Sequence, residues 1–477
     1  MAPGDAARLY HELTSYSPDR EWTDPVDDAR VVQGFEPNDV ERFPASCKAY
    51  PPGLSTVALP REWPPVAAPA TAVLAGTHRA PAGVLDLPAL GRLLHLSAGV
   101  VRYVDRPYGR FSFRAAGSAG GRFPLEVYVS ARSVDGLEDG VWWYDPIGHA
   151  LVRVAPAADG EATALVVTGI PWRTGWRYAE RGFRHVYWDA GTMLAQTLAL
   201  AESAGLGPRL WTGFPDDGVA RLVGADGVHE WPVAVVGLGG GEPAIRPRGE
   251  AAAGDVDRAP MEFPLVTETQ HAGDVEELGE PWPAGAPLDD APDSPDVDDV
   301  ILERGSTRYF DPAAALPRKA VEWALAAALR GSHVPHFVAV HAVDGLEPGL
   351  YRWPSLDEPV RAGNLREELL FVALEQALAR DASFVVIAAA DLEALDDHDY
   401  REAQLDAGLV EGRLHLAAYA LGFGASGMTF LDSEMAGLLG EPLAGLLWTC
   451  VGVPTYRSRP GGAPGAPRET KPPRSSS

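Results

Sequence analysis

Val134-Asp-Gly-Leu-Glu-Asp-Gly-Val-Trp142 returns 209 residues later as Val343-Asp-Gly-Leu-Glu-Pro-Gly-Leu-Tyr351. A second block, Asp189-Ala-Gly191 followed by Ala204-Gly-Leu-Gly207, returns after 217 residues as Asp406-Ala-Gly408 followed by Leu421-Gly-Phe-Gly424. The order is the same in both places, and the gap between blocks differs by only eight residues. Chance can supply one such block, but two in register indicate a tandem duplication. The copies are placed at residues 72–240 and 299–459.

Each copy mixes helix and strand patterns. Phe123-Pro-Leu-Glu-Val-Tyr-Val-Ser130 alternates like a half-buried strand, and Gly-Leu-Glu-x-Gly makes a turn into a second strand, Val141–Tyr144. Met193 to Ala204 is apolar at helical spacing and stops at Gly205, a suitable residue to end a helix. Trp231–Gly237 then reads as a buried strand. Copy two supplies the counterparts Phe337–Ala342, Leu409–Leu421 and Leu446–Val453. The order strand, hairpin, helix, strand predicts an α+β layered domain rather than an alternating βαβ array.

Three further segments flank the copies. Residues 1–71 form an amino-terminal segment. Residues 241–298 are rich in Gly, Pro and acid and read as a linker with too little apolar surface to offset its ordering entropy. Its middle, Met261-Glu-Phe-Pro-Leu-Val266, could still pack on a neighbour. The Pro/Gly/Ser-rich tail, 460–477, is expected to be disordered.

Composition narrows the function. The chain has 477 residues, 66 acidic against 40 basic, for a net charge of −26. Phosphate polymers are bound through basic surfaces, so a general nucleic-acid binder is excluded, and attachment to anionic membranes is disfavoured. A hydrophobic fraction of 46% can build real cores. Two cysteines, Cys47 and Cys450, cannot form a disulfide framework or a cysteine zinc site, and the histidines lack paired metal spacing. No metal is expected. With no apolar signal core after Met1 and no apolar run of about 18 residues, the reading is a soluble cytoplasmic protein.

Three motifs could carry chemistry. In Arg304-Gly-Ser-Thr-Arg308, two guanidiniums flank a hydroxyl, a donor set suited to a small anion such as phosphate. The same pentapeptide also reads as a solvated basic turn. Copy one has Thr77-His-Arg79 in the corresponding place. In Gly117-Ser-Ala-Gly-Gly-Arg-Phe-Pro124, small residues ahead of a strand let backbone N–H groups approach a flat or anionic ligand, or simply make a turn. In Trp172-Arg-Thr-Gly-Trp-Arg-Tyr-Ala-Glu-Arg-Gly-Phe-Arg-His185, Arg177 beside Tyr178 favours a phenolate, which suits general acid–base work. The plain alternative is an exposed amphipathic helix start. Gly237-Leu-Gly-Gly-Gly241 is a poor dinucleotide loop, because linker follows where a helix is required. No GxSxG elbow argues for acyl transfer.

Taken together, these blocks resemble the nitroreductase-like FMN flavoproteins, and among them the SagB-type (McbC-like) azoline dehydrogenases. Arg304-Gly-Ser-Thr-Arg308 looks like that family's Arg-x-Ser-x-Arg phosphate motif. Ser118-Ala-Gly-Gly-Arg-Phe-Pro is similar to its Ser-Ala-Gly-Ala-Arg-Tyr-Pro block along the isoalloxazine. Trp176-Arg-Tyr-Ala-Glu-Arg-Gly-Phe-Arg184 resembles the block holding its Lys-Tyr catalytic pair. Leu9-Tyr-His-Glu-Leu-Thr14, Phe35-Glu-Pro-Asn-Asp39 and Lys48-Ala-Tyr-Pro51 resemble the amino-terminal region of SagB-type proteins.

The resemblance implies an obligate dimer with FMN at its interface, here made within one chain as an intrachain pseudo-dimer, possible without any second chain. Site one would combine Arg304, Ser306 and Arg308 with Ser118, Gly120 and Gly121. Ser426 and Gly427 would approach the flavin N5 edge, and Arg457 or Arg459 would reach the phosphate. Site two would rely on Thr77, Arg79, Ser332 and His333 and has no cation in its closing loop, so one FMN per chain is expected. Two residues depart from the family pattern: Arg177 replaces the lysine of the pair, and Thr192 replaces a histidine. Tyr178 is then expected to act as base, with Arg177 lowering its pKa.

The activity implied is oxidation of a peptide or carrier-bound thiazoline or oxazoline to the azole, with dioxygen re-oxidising the flavin. Partners would be a cyclodehydratase or peptide synthetase. The alternatives are another FMN-dependent redox reaction and a non-catalytic scaffold.

Overall fold

The computed structural model describes residues 2–19, 27–106 and 109–471. Its strands are β1 (Thr56–Ala58), β2 (Val100–Arg106), β3 (Gly109–Arg114), β4 (Leu125–Ala131), β5 (Gly140–Asp145), β6 (Ala150–Ala155), β7 (Thr163–Gly169), β8 (Pro208–Trp211) and β9 (Trp231–Leu238) in the first half. The second half adds β10 (His336–Val340), β11 (Gly349–Arg352), β12 (Arg361–Ala362), β13 (Phe384–Ala390), β14 (Gly424–Met428), β15 (Ala444–Gly452) and β16 (Arg468–Glu469).

Two sheets carry the fold, in the orders β1-β6-β5-β4-β7-β9-β8 and β12-β11-β10-β13-β15-β14. Apart from β1 the strands correspond one to one, and every pairing is antiparallel. The repeat read from the sequence is therefore a repeat of topology. Every residue of β4, β7, β9, β10 and β13 is buried. Burial on both faces explains why β7, β9 and β13 read as unbroken Val/Ala-rich runs instead of alternating.

The two sheets are joined through two long helices, Gly182–Ser203 and Asp397–Ala420. The second starts with a capping box, Asp396 with Asp399, and the first is followed by Gly205 at φ +66°, which only glycine adopts without strain. Nearly all positions of both helices are buried, as expected for helices enclosed between two sheets. They cross at the Asp-Ala-Gly blocks. A methyl group on Gly191 would overlap the Leu405 carbonyl oxygen, and one on Gly408 would overlap that of Trp188. A pseudo-twofold relation is also visible ahead of each copy, where Ala70 N–H donates to Pro295 O (2.9 Å) and Val297 N–H donates to Ala68 O (3.0 Å). The chain is thus an α+β tandem repeat forming an intrachain pseudo-dimer.

The flanking segments lock the halves together. Helix Asp5–Leu13 of the amino-terminal segment sends Tyr10 Oη to Glu180 O (2.9 Å), and the Gly4 and Ala7 amides donate to Asp397 (3.0 and 2.8 Å). Beside it, the Asp432 carboxylate of copy two receives Arg181 (2.6 Å) and Arg184 (2.7 Å) of copy one, and also the Tyr16 amide (2.8 Å). Arg173, Arg181 and Arg184 of the run from Trp172 are therefore buried, and of its arginines only Arg177 keeps the exposure of the plain alternative.

Two expectations need correction. The middle of the linker packs as the sequence allowed, with Phe263, Leu265 and Val266 buried and Phe263 among Phe35 and Trp172 (ring centroids 5.7 and 6.3 Å). The packing extends further, to buried Ala244, Ile245 and Val297, so the linker is a packed strap. Val256, Met261, Trp282 and Leu288 pack against the same core as Phe263. The tail, expected to be disordered, is ordered through residue 471. Gly461 and Gly462 amides donate to Leu302 O (2.7 Å) and Val101 O (2.8 Å), and β16 pairs in parallel with β2. Backbone pairing on the open edge of β2 holds it without much apolar burial. Residues 472–477 lie outside the described residues. Among the described residues no helix is long and apolar enough to cross a membrane.

Candidate active site

The loop Ser118–Gly121 is fixed from below by the long helix of its own copy. Asp189 accepts the Ser118 hydroxyl (2.5 Å) and the Ala119 amide (2.9 Å), while Ser118 Oγ accepts the Phe123 amide (2.7 Å). Gly120 and Gly121 follow at φ +57° and +66°, a left-handed pair that explains both glycines. Burial raises the Asp189 carboxyl to about 7, Ser118 and Ala119 pull it down, and Glu411 adds to the rise. Asp406 repeats this in copy two, accepting Ser332 Oγ (2.9 Å) and the His333 amide (2.7 Å).

Tyr178 and Arg177 end the helix Pro171–Tyr178 and come down on this loop. A methyl group on Gly120 would lie 2.7 Å from Tyr178 Oη and 2.7 Å from Arg177 Cδ. Arg177 also donates to Asn38 Oδ1 (3.2 Å) in the amino-terminal segment. The other face of the Tyr178 ring stacks on His185, 4.1 Å between centroids and 12° from parallel. His185 is held down to about 3 by burial and by the positive charge of Arg181, so the stacked imidazole is neutral. Burial raises the Tyr178 phenol above its ordinary value, against Arg177, which lowers it. The expectation that Arg177 would leave a lowered pKa is therefore reversed: the charge acts in the predicted sense, but desolvation outweighs it.

The pseudo-dimer brings copy two's residues to the same place. A methyl group on Gly117 would lie 3.5 Å from Arg304 Nη1 and 3.4 Å from Thr192 Cγ2. Arg304 is buried (3% exposed), donating to Gln196 Oε1 and Ala115 O of copy one, with His415 Nδ1 at 3.3 Å. It is a tie between the copies, whereas Arg308 is exposed. Ser306 and Thr307 run beside β14, with the Thr307 amide donating to Ala425 O (2.9 Å) and a parallel bridge between Ser306 and Ala425. Ser426 is buried in β14, while Gly427 is exposed and faces Glu411: a methyl there would stand 2.9 Å from Oε1. Glu411 in turn accepts Thr192 Oγ1 (2.5 Å) and meets His415 Nε2 (3.0 Å). Thr192, where the family pattern has histidine, thus spans the two long helices.

Arg457 and Arg459 are exposed on the segment beside Arg304–Arg308. The Arg308 amide donates to Tyr456 Oη (2.8 Å), and Arg102 ties both strands by donating to Arg459 O (2.8 Å) and Arg304 O (3.0 Å). Arg102 is itself pulled down to about 10 by burial and by its cationic neighbours Arg304 and Arg468. Arg308, Arg457 and Arg459 therefore belong to a local concentration of cations in a chain of net charge −26.

Sequence reasoning overlooked Asp189, Glu411 and Asn38 as parts of this site. Asp189 was visible as half of the repeated Asp-Ala-Gly block, which marked organisation but not the bond to the loop. It also overlooked the aromatic wall at the loop's mouth. Phe111, Phe43 and Trp176 follow one another at 5.8 and 5.0 Å, with the Arg122 guanidinium 4.7–5.0 Å from all three ring centres.

Comparison with known proteins bears on the family and the fold. The nitroreductase family matches residues 112–240 and 301–452, more than half of the chain, so the chain belongs to the nitroreductase family. MJ1384 of Methanocaldococcus jannaschii, a protein named as a candidate nitroreductase, is 30% identical over 142 residues, which is 27% of this chain and 70% of that protein. A candidate nitroreductase from Anabaena variabilis ATCC 29413, solved by crystallography, superposes with a TM-score of 0.70 at 23% identity. That alignment covers 94% of this chain and 99% of the other, so both copies and the strap between them share its fold.

Proposed function

We propose that the chain is an FMN-dependent oxidoreductase with one flavin per chain, acting on a thiazoline or oxazoline in a peptide or carrier-bound substrate. The observation that carries the reading is the meeting of Tyr178 and Arg177 with Gly120, on a loop that also borders the Arg304–Arg308 segment of the other copy. The residues fit an FMN. Arg308, Arg457 and Arg459 would hold its phosphate, Ser306 and the buried, unpartnered Thr307 Oγ1 offer hydroxyls, and the glycine loop leaves backbone room for a flat ring. When bound, FMN supplies two-electron redox chemistry; the protein supplies binding, orientation and electrostatics.

Tyr178 keeps its proton at neutral pH, as a phenol ordinarily does, and burial strengthens that preference. Its role is to donate a hydrogen bond to the ring nitrogen or adjacent carbonyl of the substrate, beside the Arg177 cation. That donation acidifies the neighbouring C–H, whose proton would pass to solvent water, while the second hydrogen would leave with its electron pair to bound FMN as the oxidant. The same protonated phenol favours a second reading, in which Tyr178 donates its proton during flavin-dependent reduction of a conjugated bond. The partners suggested by the sequence resemblance, a cyclodehydratase or a peptide synthetase, belong to the first reading.

The test is the purified chain with bound flavin counted and with an azoline peptide supplied under air. A mass loss of two hydrogens supports the first reading. Turnover of NAD(P)H with an unsaturated acceptor, and no azoline oxidation, supports the second. A colourless chain that takes up no added FMN rejects both.

A further inference from the structure

The pseudo-twofold relation that builds site one also generates a second location, and the strap between the copies runs into it. Asp406 holds Ser332–His333 as Asp189 holds Ser118–Ala119, so His333 stands where Ala119 stands in site one. The edge strand β8 corresponds to β14, and Pro208 corresponds to Ala425: each follows the repeated Gly207 or Gly424, and they pair with the equivalent residues Leu238 and Val451. In site one the edge of β14 is bordered by Ser306 and Thr307. In the second location the edge of β8 is bordered by the strap: Gly279 N–H donates to Gly213 O (3.0 Å) and Trp282 N–H donates to Leu210 O (2.6 Å).

The counterpart of Arg304–Arg308 is diverted. Counting from the paired residues Pro69 and Asp296, Thr77 takes the place of Arg304 and Pro81 that of Arg308. The chain then turns away to Gly205, whose carbonyl accepts the Gly83 amide (2.9 Å). What arrives over the loop instead is an aromatic ring. The Trp282 indole lies face to face on His333, 4.4 Å between centroids and 13° from parallel. Behind it the strap closes against the loop, so that a methyl on Gly331 would overlap the Pro283 carbonyl oxygen.

We propose that Trp282 is a built-in occupant of the second site: a flat ring supplied in cis on the loop that corresponds to Ser118–Gly121. The inference rests on site one being the flavin site, and it gives the second location a structural task in place of a redox one. The strap is thereby anchored at the point where copy one's own phosphate segment is absent. Stacking on His333 favours a planar ring over an equally large branched side chain.

The experiment uses the full chain with Trp282→Ala, Trp282→Phe and Trp282→Leu, followed by thermal unfolding and flavin counting, with indole and FMN as added probes. The expectation is one flavin per chain in the parent and in every variant. Trp282→Phe should stay near the parent Tm, while Trp282→Leu and Trp282→Ala should fall by several degrees. Added indole should raise the Tm of Trp282→Ala but not that of the parent. Should Trp282→Ala not fold, the contrast between Phe and Leu decides. Equal Tm for Phe and Leu, or two flavins in the parent, overturns the proposal. A parent that binds no flavin, with the Phe–Leu contrast and indole rescue intact, rejects the reading of site one but leaves an aromatic receptor at the second site.

Discussion

Gly191 and Gly408 occupy equivalent positions on the two long helices, and each is the point where the opposite backbone comes closest. Gly412, one turn further on, completes the contact: a methyl there would stand 2.8 Å from the Thr192 Cα. No side chain fits between backbones so near. Gly408→Ala should therefore cost about 1–3 kcal/mol or more as the helices are forced apart. Urea denaturation should show a lower midpoint, and Gly191→Ala should match it because the contact is reciprocal. Unchanged midpoints in both variants would mean that the crossing gives way freely.

The Asp432 carboxylate lies between Arg181 and Arg184, and these two cations hold its pKa well below the usual carboxylate range despite burial. Removing one partner of a buried ion pair leaves uncompensated charge and costs about 3–5 kcal/mol. Asp432→Ala should show that loss at neutral pH. The sign with pH follows from the depressed value. The carboxylate contributes fully above its unfolded pKa of about 3.9, and the contribution disappears as pH falls through the folded value. The parent should lose stability steeply in acid, and Asp432→Ala should lose less over the same range.

Asp189 has the opposite sign. Its folded carboxyl titrates near 7, above its unfolded value of about 3.9, so the fold prefers the protonated form. Its contribution to stability is greatest below the unfolded value and declines as pH rises toward 7. Asp189→Asn keeps the shape without the charge. Denaturation midpoints compared at pH 5 and pH 7.5 should fall in the parent and vary less in the variant.

Tyr178→Phe removes the phenol while keeping the ring on His185. If the phenol donates to substrate, kcat should fall about 100-fold or more with FMN content unchanged. Because the phenol titrates above its ordinary value of about 10, the pH–rate profile of the parent should carry no Tyr178 limb between pH 6 and 9. Full activity in the Phe variant would remove Tyr178 from the chemistry.

The duplication and its elements were legible because they rest on repeated local patterns: the Gly-Leu-Glu-x-Gly turn and the Asp-Ala-Gly helix block. The meeting of Ser118–Gly121 with Tyr178 was legible only through resemblance, since nothing local links residues so far apart in sequence. The employment of Arg304 was not legible. Its three acceptors, from Gln196, Ala115 and His415, lie on elements brought together by the long-range helix crossing. The pKa of Tyr178 was misjudged for a related reason. A neighbouring charge can be read from adjacency in sequence, whereas desolvation depends on everything packed around the ring. Composition also misjudged the strap and tail, because backbone pairing on an exposed strand edge requires no particular side chains.

Joining two halves covalently has a genetic consequence. In a dimer of identical chains every substitution is entered twice, so a change useful in one cleft is imposed on the other. Here Ala119 and His333, or Arg304 and Thr77, can each be altered alone. The mirrored surfaces are free to specialise, one toward catalysis and one toward architecture, without either holding back the other.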